Sequence, residues 1–169
     1  MKISSGVEWA VHACTLLAAL PPGKGLRAEA IARYHDVPPA YMAKQLQALS
    51  KAGLIASNRG ANGGYMLAHA PNEISLWDIT QAIEGSRPAF RCTEIRQKGP
   101  CKNKPAACKQ ACPIAASFYA AENAFRDALK STNLATLSQE IAGKADMAKA
   151  VKFGNWLSAE MTNSSLKKH

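Results

Sequence analysis

Cys92, Cys101, Cys108 and Cys112 stand with eight, six and three residues between them, and Pro113 follows the last. They lie in "FRCTEIRQKGPCKNKPAACKQACP", residues 90 to 113, together with six Lys or Arg and a single acidic residue. Four thiols on such a stretch can form a disulfide knot, a zinc site, an iron–sulfur cluster or a thiol switch. The chain has five cysteines, an odd number, and its start "MKISSGVEWAVHAC" has no signal-peptide pattern. A reducing cytosol is therefore expected, where structural disulfides are uncommon. No C-x2-C pair is present, which disfavours zinc ribbons and knuckles, although a purely structural zinc site stays open. Cys108 and Cys112 would lie about one turn apart on a helix, and the surrounding cations favour thiolates.

A second constellation sits at the start of the chain. "VEWAVH" places Glu8 and His12 at i and i+4, so that both emerge from one helix face. Such a pair is most often plain helix surface. A carboxylate and an imidazole can also bind iron, and two thiolates opposite them would complete four ligands. Histidine in place of thiolate on one iron of a [2Fe–2S] centre is known chemistry. Trp9, between the two, could cover such a centre or respond to its redox state, or simply pack.

These residues need elements to hold them. Residues 5 to 20 read as a helix with Val7, Val11, Cys14 and Leu17 as its apolar stripe, stopped by Pro21-Pro22-Gly23. Cys14 thus reads as core. A short helix over 27 to 35, with Ala30, Ile31 and Tyr34 inward, precedes a turn at Asp36 to Pro38. A third helix begins near Pro39, carries Met42, Leu46 and Leu49 at helical spacing, and ends at Gly53. Strand-like runs over 54 to 58 and 65 to 68 flank a Gly- and Asn-rich loop, a hairpin signal. Three helices followed by a hairpin is the order of a winged helix–turn–helix. A fourth helix spans about 75 to 84, with Ser75 as its cap. After the cysteines, "PIAASFYAAENAFRDALKST" makes a long helix suited to dimerisation; "LATLSQEI" is a short helical turn, and 146 to 160 is one more helix. Trp77 and Trp156 read as core. The fold expected is mainly α with a small β-hairpin wing. Its parts are a DNA-binding domain over 1–85, a cluster-binding loop over 86–113, a dimerisation helix over 114–131, and C-terminal helices and tail over 132–169.

Twenty-one Lys and Arg against twelve Asp and Glu give a formal charge of +9, which favours a polyanionic partner. No apolar run is long enough for a bilayer, so no membrane is expected. The third helix offers Tyr41, Lys44, Gln45, Gln47, Ser50 and Lys51 on its polar face, groups that can reach base edges and phosphates. Arg59 sits at the hairpin tip, where a long cation can enter a minor groove. Lys2 and Arg27 could add phosphate contacts. Double-stranded DNA is the expected partner. No Gly-rich cofactor loop and no nucleophile–base set is found, so an enzyme is not expected.

"MKISSGVEWAVHAC", "HDVPPAYMAKQLQALSKAGLI", "RGANGGYMLA", "ISLWDITQAIEG" and "CTEIRQKGP…CKQACPIA" together resemble the Rrf-two family of winged-helix regulators (IscR/NsrR/RsrR-like), over about residues 1 to 140. The pattern is most similar to the RsrR-like redox-sensing branch. The resemblance implies a cytoplasmic homodimer holding a [2Fe–2S] cluster between subunits. Glu8 and His12 of one subunit and Cys92 and Cys112 of the other would be the ligands. Operator binding would then follow the redox state or presence of the cluster. Cys101 and Cys108 are surplus to that set and keep open a three-cysteine [4Fe–4S] site, sensing nitric oxide or oxygen.

Overall fold

A computed structural model of the chain describes residues 3–58 and 63–163. The chain runs through α1 (Ser5–Ala18), β1 (Lys24–Gly25), α2 (Ala28–Tyr34), α3 (Pro39–Lys51), β2 (Ile55–Ser57) and β3 (Tyr65–Leu67). It continues through α4 (Leu76–Glu84), α5 (Pro113–Lys130), α6 (Leu134–Gly143), α7 (Met147–Glu160) and β4 (Thr162–Asn163). Two features depart from the expected outline: α6 is a ten-residue helix rather than a short turn, and the two-residue strands β1 and β4, absent from the sequence reading, pair with each other.

Local chemistry accounts for the boundaries. The Ser75 hydroxyl accepts from Asp78 N–H while the Asp78 carboxylate accepts from Ser75 N–H, a reciprocal cap that starts α4. Asn133 and Asp146 cap α6 and α7 one-sidedly, their side-chain oxygens accepting from Thr136 N–H and Lys149 N–H. Gly53, at φ +76°, ends α3: its N–H donates to Ser50 O and Leu54 N–H donates to Leu49 O. Asp36 does the same for α2 at φ +50°, with Asp36 N–H on Arg33 O and Val37 N–H on Ala32 O. This is the left-handed helix stop usually left to glycine; here it sets the sharp turn into Pro38 and Pro39, and so the angle between α2 and α3.

The core lies where α1, α3 and α4 meet. Cys14, Leu26, Ile31, Met42, Leu46, Leu49, Ile74, Ile79 and Leu134 are all fully buried there. The wing is the antiparallel β2–β3 pair, in register Ile55↔Leu67, Ala56↔Met66 and Ser57↔Tyr65. Leu26 joins it through a bridge to Tyr65, and β1 pairs on with β4, so the C-terminal strand attaches beside the base of the wing.

Two expectations about the interior are corrected. Tyr34, expected inward, is 40% exposed at the last position of α2, beyond the buried Ala30, Ile31 and Ala32. Its ring is instead covered by α7, with Trp156 at 4.4 Å and Phe153 at 5.8 Å between centroids. Trp77 and Trp156 stand at the edge of the core rather than within it. Trp77 lies beneath the Arg126 guanidinium, 5.2 Å from the ring centroid.

Candidate nucleic-acid interface and cysteine loop

α3 turns Met42, Leu46 and Leu49 into the core, so the opposite side must face outward. Tyr41, Lys44, Gln47 and Lys51 are exposed on it and Ser50 is half-buried. Gln45 is the exception to the expected polar face. It is 6% exposed, and its side-chain amide fills the space over Gly6 of α1, where a Cβ would stand 3.0 Å from Gln45 Oε1. Its Nε2 donates to Tyr41 O. A polar side chain that seals the α1–α3 contact is not displayed to DNA. Arg27 is exposed just before α2. Lys2 and Arg59 lie outside the described residues.

Behind this face lies α1. Glu8 and His12 are both exposed on it, as the i, i+4 spacing requires. Trp9 is half-buried between them and meets Tyr41 of α3 edge-on, with centroids 5.8 Å apart. Trp9 thus packs on α3 and joins α1 directly to its exposed side. His12 also faces His35, at 5.2 Å between rings. Burial, followed by the charge of His12, pushes the His35 imidazole below its usual value; a bond to the backbone of His12 works in the opposite direction.

The cysteine segment is held together by Arg96. Its Nε donates to the Glu94 carboxylate at 2.9 Å, and its Nη2 donates to Cys108 O at 3.1 Å and to Gln110 O. That bond to Arg96 is the chief reason the Glu94 carboxyl titrates below its ordinary range. The Cys92 thiol leans on the same carboxylate, at 3.8 Å, while its sulfur accepts from Glu94 N–H at 3.4 Å. One guanidinium therefore ties the stretch bearing Cys92 to the segment bearing Cys108 and Cys112. Cys112 caps α5, its sulfur accepting from Ala115 N–H at 3.4 Å. Cys92, Cys108 and Cys112 are half-buried and Cys101 is exposed.

The donor set fits an iron–sulfur group in part within one chain. Two accessible sulfurs that each take a backbone N–H bond suit ligating thiolates, whose potentials such bonds tune. Among the described residues, however, no three His, Cys, Asp or Glu converge. Glu8 and His12 share one face of α1, and Cys92 and Cys112 lie on two segments that Arg96 joins.

A model of a family described as Rrf2, iron-dependent transcriptional regulator, matches residues 3–140. The chain belongs to the Rrf2 family. A curated relative described as the HTH-type transcriptional regulator YffB of Lactococcus lactis is 31% identical over 140 residues, covering 83% of this chain and 88% of that one. YwgB of Bacillus subtilis, another such regulator, is 41% identical over 85 residues, which span half of this chain and 54% of that protein. Among solved structures, CymR, the global cysteine regulator of B. subtilis, superposes with a TM-score of 0.64 at 25% identity, over 83% of this chain and 98% of that one. IscR of T. potens gives 0.63 at 23% identity, over 87% and 93%, a likeness of fold. This Rrf2-family chain is thus a winged-helix transcriptional regulator and not an enzyme. No helix among its described residues is long and apolar enough to cross a membrane.

Sequence reasoning missed the groups that fix the cysteine loop of this Rrf2-family regulator to its frame. Arg96 is one. Glu122 is the other: buried on α5, its carboxylate accepts from Ala89 N–H and Phe90 N–H and pairs with Arg126. These contacts, with the Ala89 bond foremost, hold its carboxyl below the ordinary carboxylate value. A lone Glu amid the exposed residues of an Ala-rich helix gave no sign of this; only the contact with α4 and the loop 33 residues away reveals it.

Proposed function

We propose that this protein is a homodimeric DNA-binding regulator of the RsrR-like branch, cytoplasmic, whose operator affinity follows the redox state of a [2Fe–2S] cluster. Glu8 and His12 of one subunit and Cys92 and Cys112 of the other would hold it. When bound, that group supplies one-electron redox chemistry. The observation that carries the reading is the split of the donors. The carboxylate–imidazole pair faces outward on α1, while the Cys112 sulfur caps α5, a helix with Ile114, Phe118 and Tyr119 exposed, and Cys92 lies in the loop before it.

The chain's own residues supply the transmission. Glu8 and His12 flank Trp9, and Trp9 rests on Tyr41, so a shift of α1 at its outer face bears on the reading helix. Gln45 packed over Gly6 makes α1 and α3 move as one piece. Two-fold readers need their recognition helices about one DNA turn apart, ~34–36 Å, so a small tilt of paired heads weakens the complex. A cluster can shift binding only by as much as its two states favour different head arrangements.

Protein purified without air is expected to show iron–sulfur absorbance and to bind an operator selected from random DNA more tightly before dithionite treatment than after it. Equal affinities remove the switch. Cys92→Ala and Cys112→Ala are expected to lose iron, with Cys101→Ala and Cys108→Ala retaining it. Loss in the latter pair would instead indicate the three-cysteine [4Fe–4S] site, and colourless zinc protein a structural metal.

A further inference from the structure

Between residues 91 and 112 no described side chain is buried, so apolar packing does not give this stretch its shape. Polar ties have to do so, and they converge on Arg96. Its Nε donates to Glu94 at 2.9 Å and its Nη2 to Cys108 O at 3.1 Å and to Gln110 O. Its own carbonyl accepts from Asn103 N–H at 2.8 Å. Four points of the loop, at Glu94, Asn103, Cys108 and Gln110, are thus pinned to one residue, whose side chain is 20% exposed. Glu94 stands at φ +51°, left-handed backbone that a residue other than glycine keeps only where its surroundings over-determine it. The same Glu94 meets the Cys92 sulfur, through its carboxylate at 3.8 Å and its N–H at 3.4 Å. At the other end, the pinned Gln110 lies two residues before Cys112, the cap of α5. The bond to Glu94 first, and then charge on the Cys108 and Cys112 sulfurs, tighten the guanidinium's hold on its proton, so both sulfurs lie within its field.

We propose that Arg96 is the positioning residue of the cluster site: it sets the Cys92 and Cys112 segments in place before a cluster binds and keeps a positive charge beside them afterwards. The proposal rests on the cluster reading above and deepens it with a group that acts through the two cysteines and is no ligand itself. Two consequences follow from the chemistry of a guanidinium. Its planar fork bonds in two directions at once, so the loop is ordered before binding and a bound cluster is retained longer. Its fixed charge favours the more negative, reduced form of the cluster and so raises the potential. Lysine keeps the charge without the fork, which separates the two effects.

The test compares the full-length parent with Arg96→Lys and Arg96→Met. After treatment with a chelator, amide hydrogen exchange over residues 92 to 112, read by mass spectrometry, is expected to be at least tenfold faster in both variants. Exchange in α1 and α3 is expected to stay as in the parent, which shows that the variants fold. After reconstitution without air from ferrous iron and sulfide, both variants are expected to release iron to a chelator at least tenfold faster than the parent. The midpoint potential is expected to fall in Arg96→Met and to stay at the parent's value in Arg96→Lys. A folded Arg96→Met that takes up no cluster at all also supports the proposal. Parent-like exchange or parent-like iron release in Arg96→Met overturns it, as does the same potential in Arg96→Met as in the parent. A parent that takes up no iron defeats the cluster reading itself, and the proposal with it; a parent that holds iron beside variants that behave identically defeats the proposal alone.

Discussion

Cys14 lies wholly inside the core, and burial alone pushes its thiol up to about 12. In the unfolded chain the same thiol ionises near 9.0, so stability falls as the pH rises from there toward 12. Iodoacetamide at pH 8.5 is expected to modify exposed Cys101 quickly and to leave Cys14 untouched until denaturant is added; peptide mass spectrometry reads both. Glu122 has the opposite sign. Its carboxyl titrates below the ordinary 4.5 when folded, so its contribution is present above that value and is lost as the pH falls below it. Thermal melts between pH 7 and pH 3 should show a shallower acid-side loss in Glu122→Gln than in the parent chain.

At the scale of elements, α3 is an outward polar face on a helix anchored by three apolar side chains and one amide. Lys51 in its last turn is placed for phosphate, so Lys51→Ala is expected to weaken binding to all DNA sequences alike. The slope of log affinity against log salt should fall by about 1. A loss confined to the operator would assign Lys51 to base reading instead. The elements themselves were readable because their signals are local. Ser75 with Asp78, Pro39 at a helix start and Gly53 at a helix end each act within a few residues. Gln45, Tyr34 and Trp77 were misjudged because residue type and spacing fix only which side of a helix a group occupies. What lies on that side is set by chain far away: Gly6 under Gln45, α7 over Tyr34, Arg126 over Trp77. In the candidate site the exposure of Glu8 and His12 on one helix face was legible, but the Arg96 tie across the loop was not, since nothing in the spacing of the cysteines calls for a guanidinium.

For the molecule as a whole, α5 packs on α4 and leaves most of its surface uncovered. Of its eighteen residues only Ala115 and Glu122 are buried, while Ile114 is 70% and Phe118 52% exposed. Phe90 stacks on Phe118 at 4.7 Å and meets Tyr119 edge-on at 5.5 Å, so the loop before the cysteines and α5 present one aromatic surface. A contiguous apolar patch of this kind marks an interface. We expect a dimer through it, with Phe118→Glu sedimenting at half the parent mass and binding operator at least tenfold more weakly. A parent chain that sediments as a monomer would rule this out.

The Arg33–Glu160 ion pair and the Tyr34–Trp156 ring contact fasten α7 to the helix that precedes the DNA-reading one, without entering the reading surface itself. Leu157 of the same helix is buried in the shared core, with Phe153 and Trp156 packed against it, so the last helix is part of what holds the head together. Changes on the inner side of residues 147 to 160 are therefore expected to disturb α2 and, through it, the helix that offers the polar face.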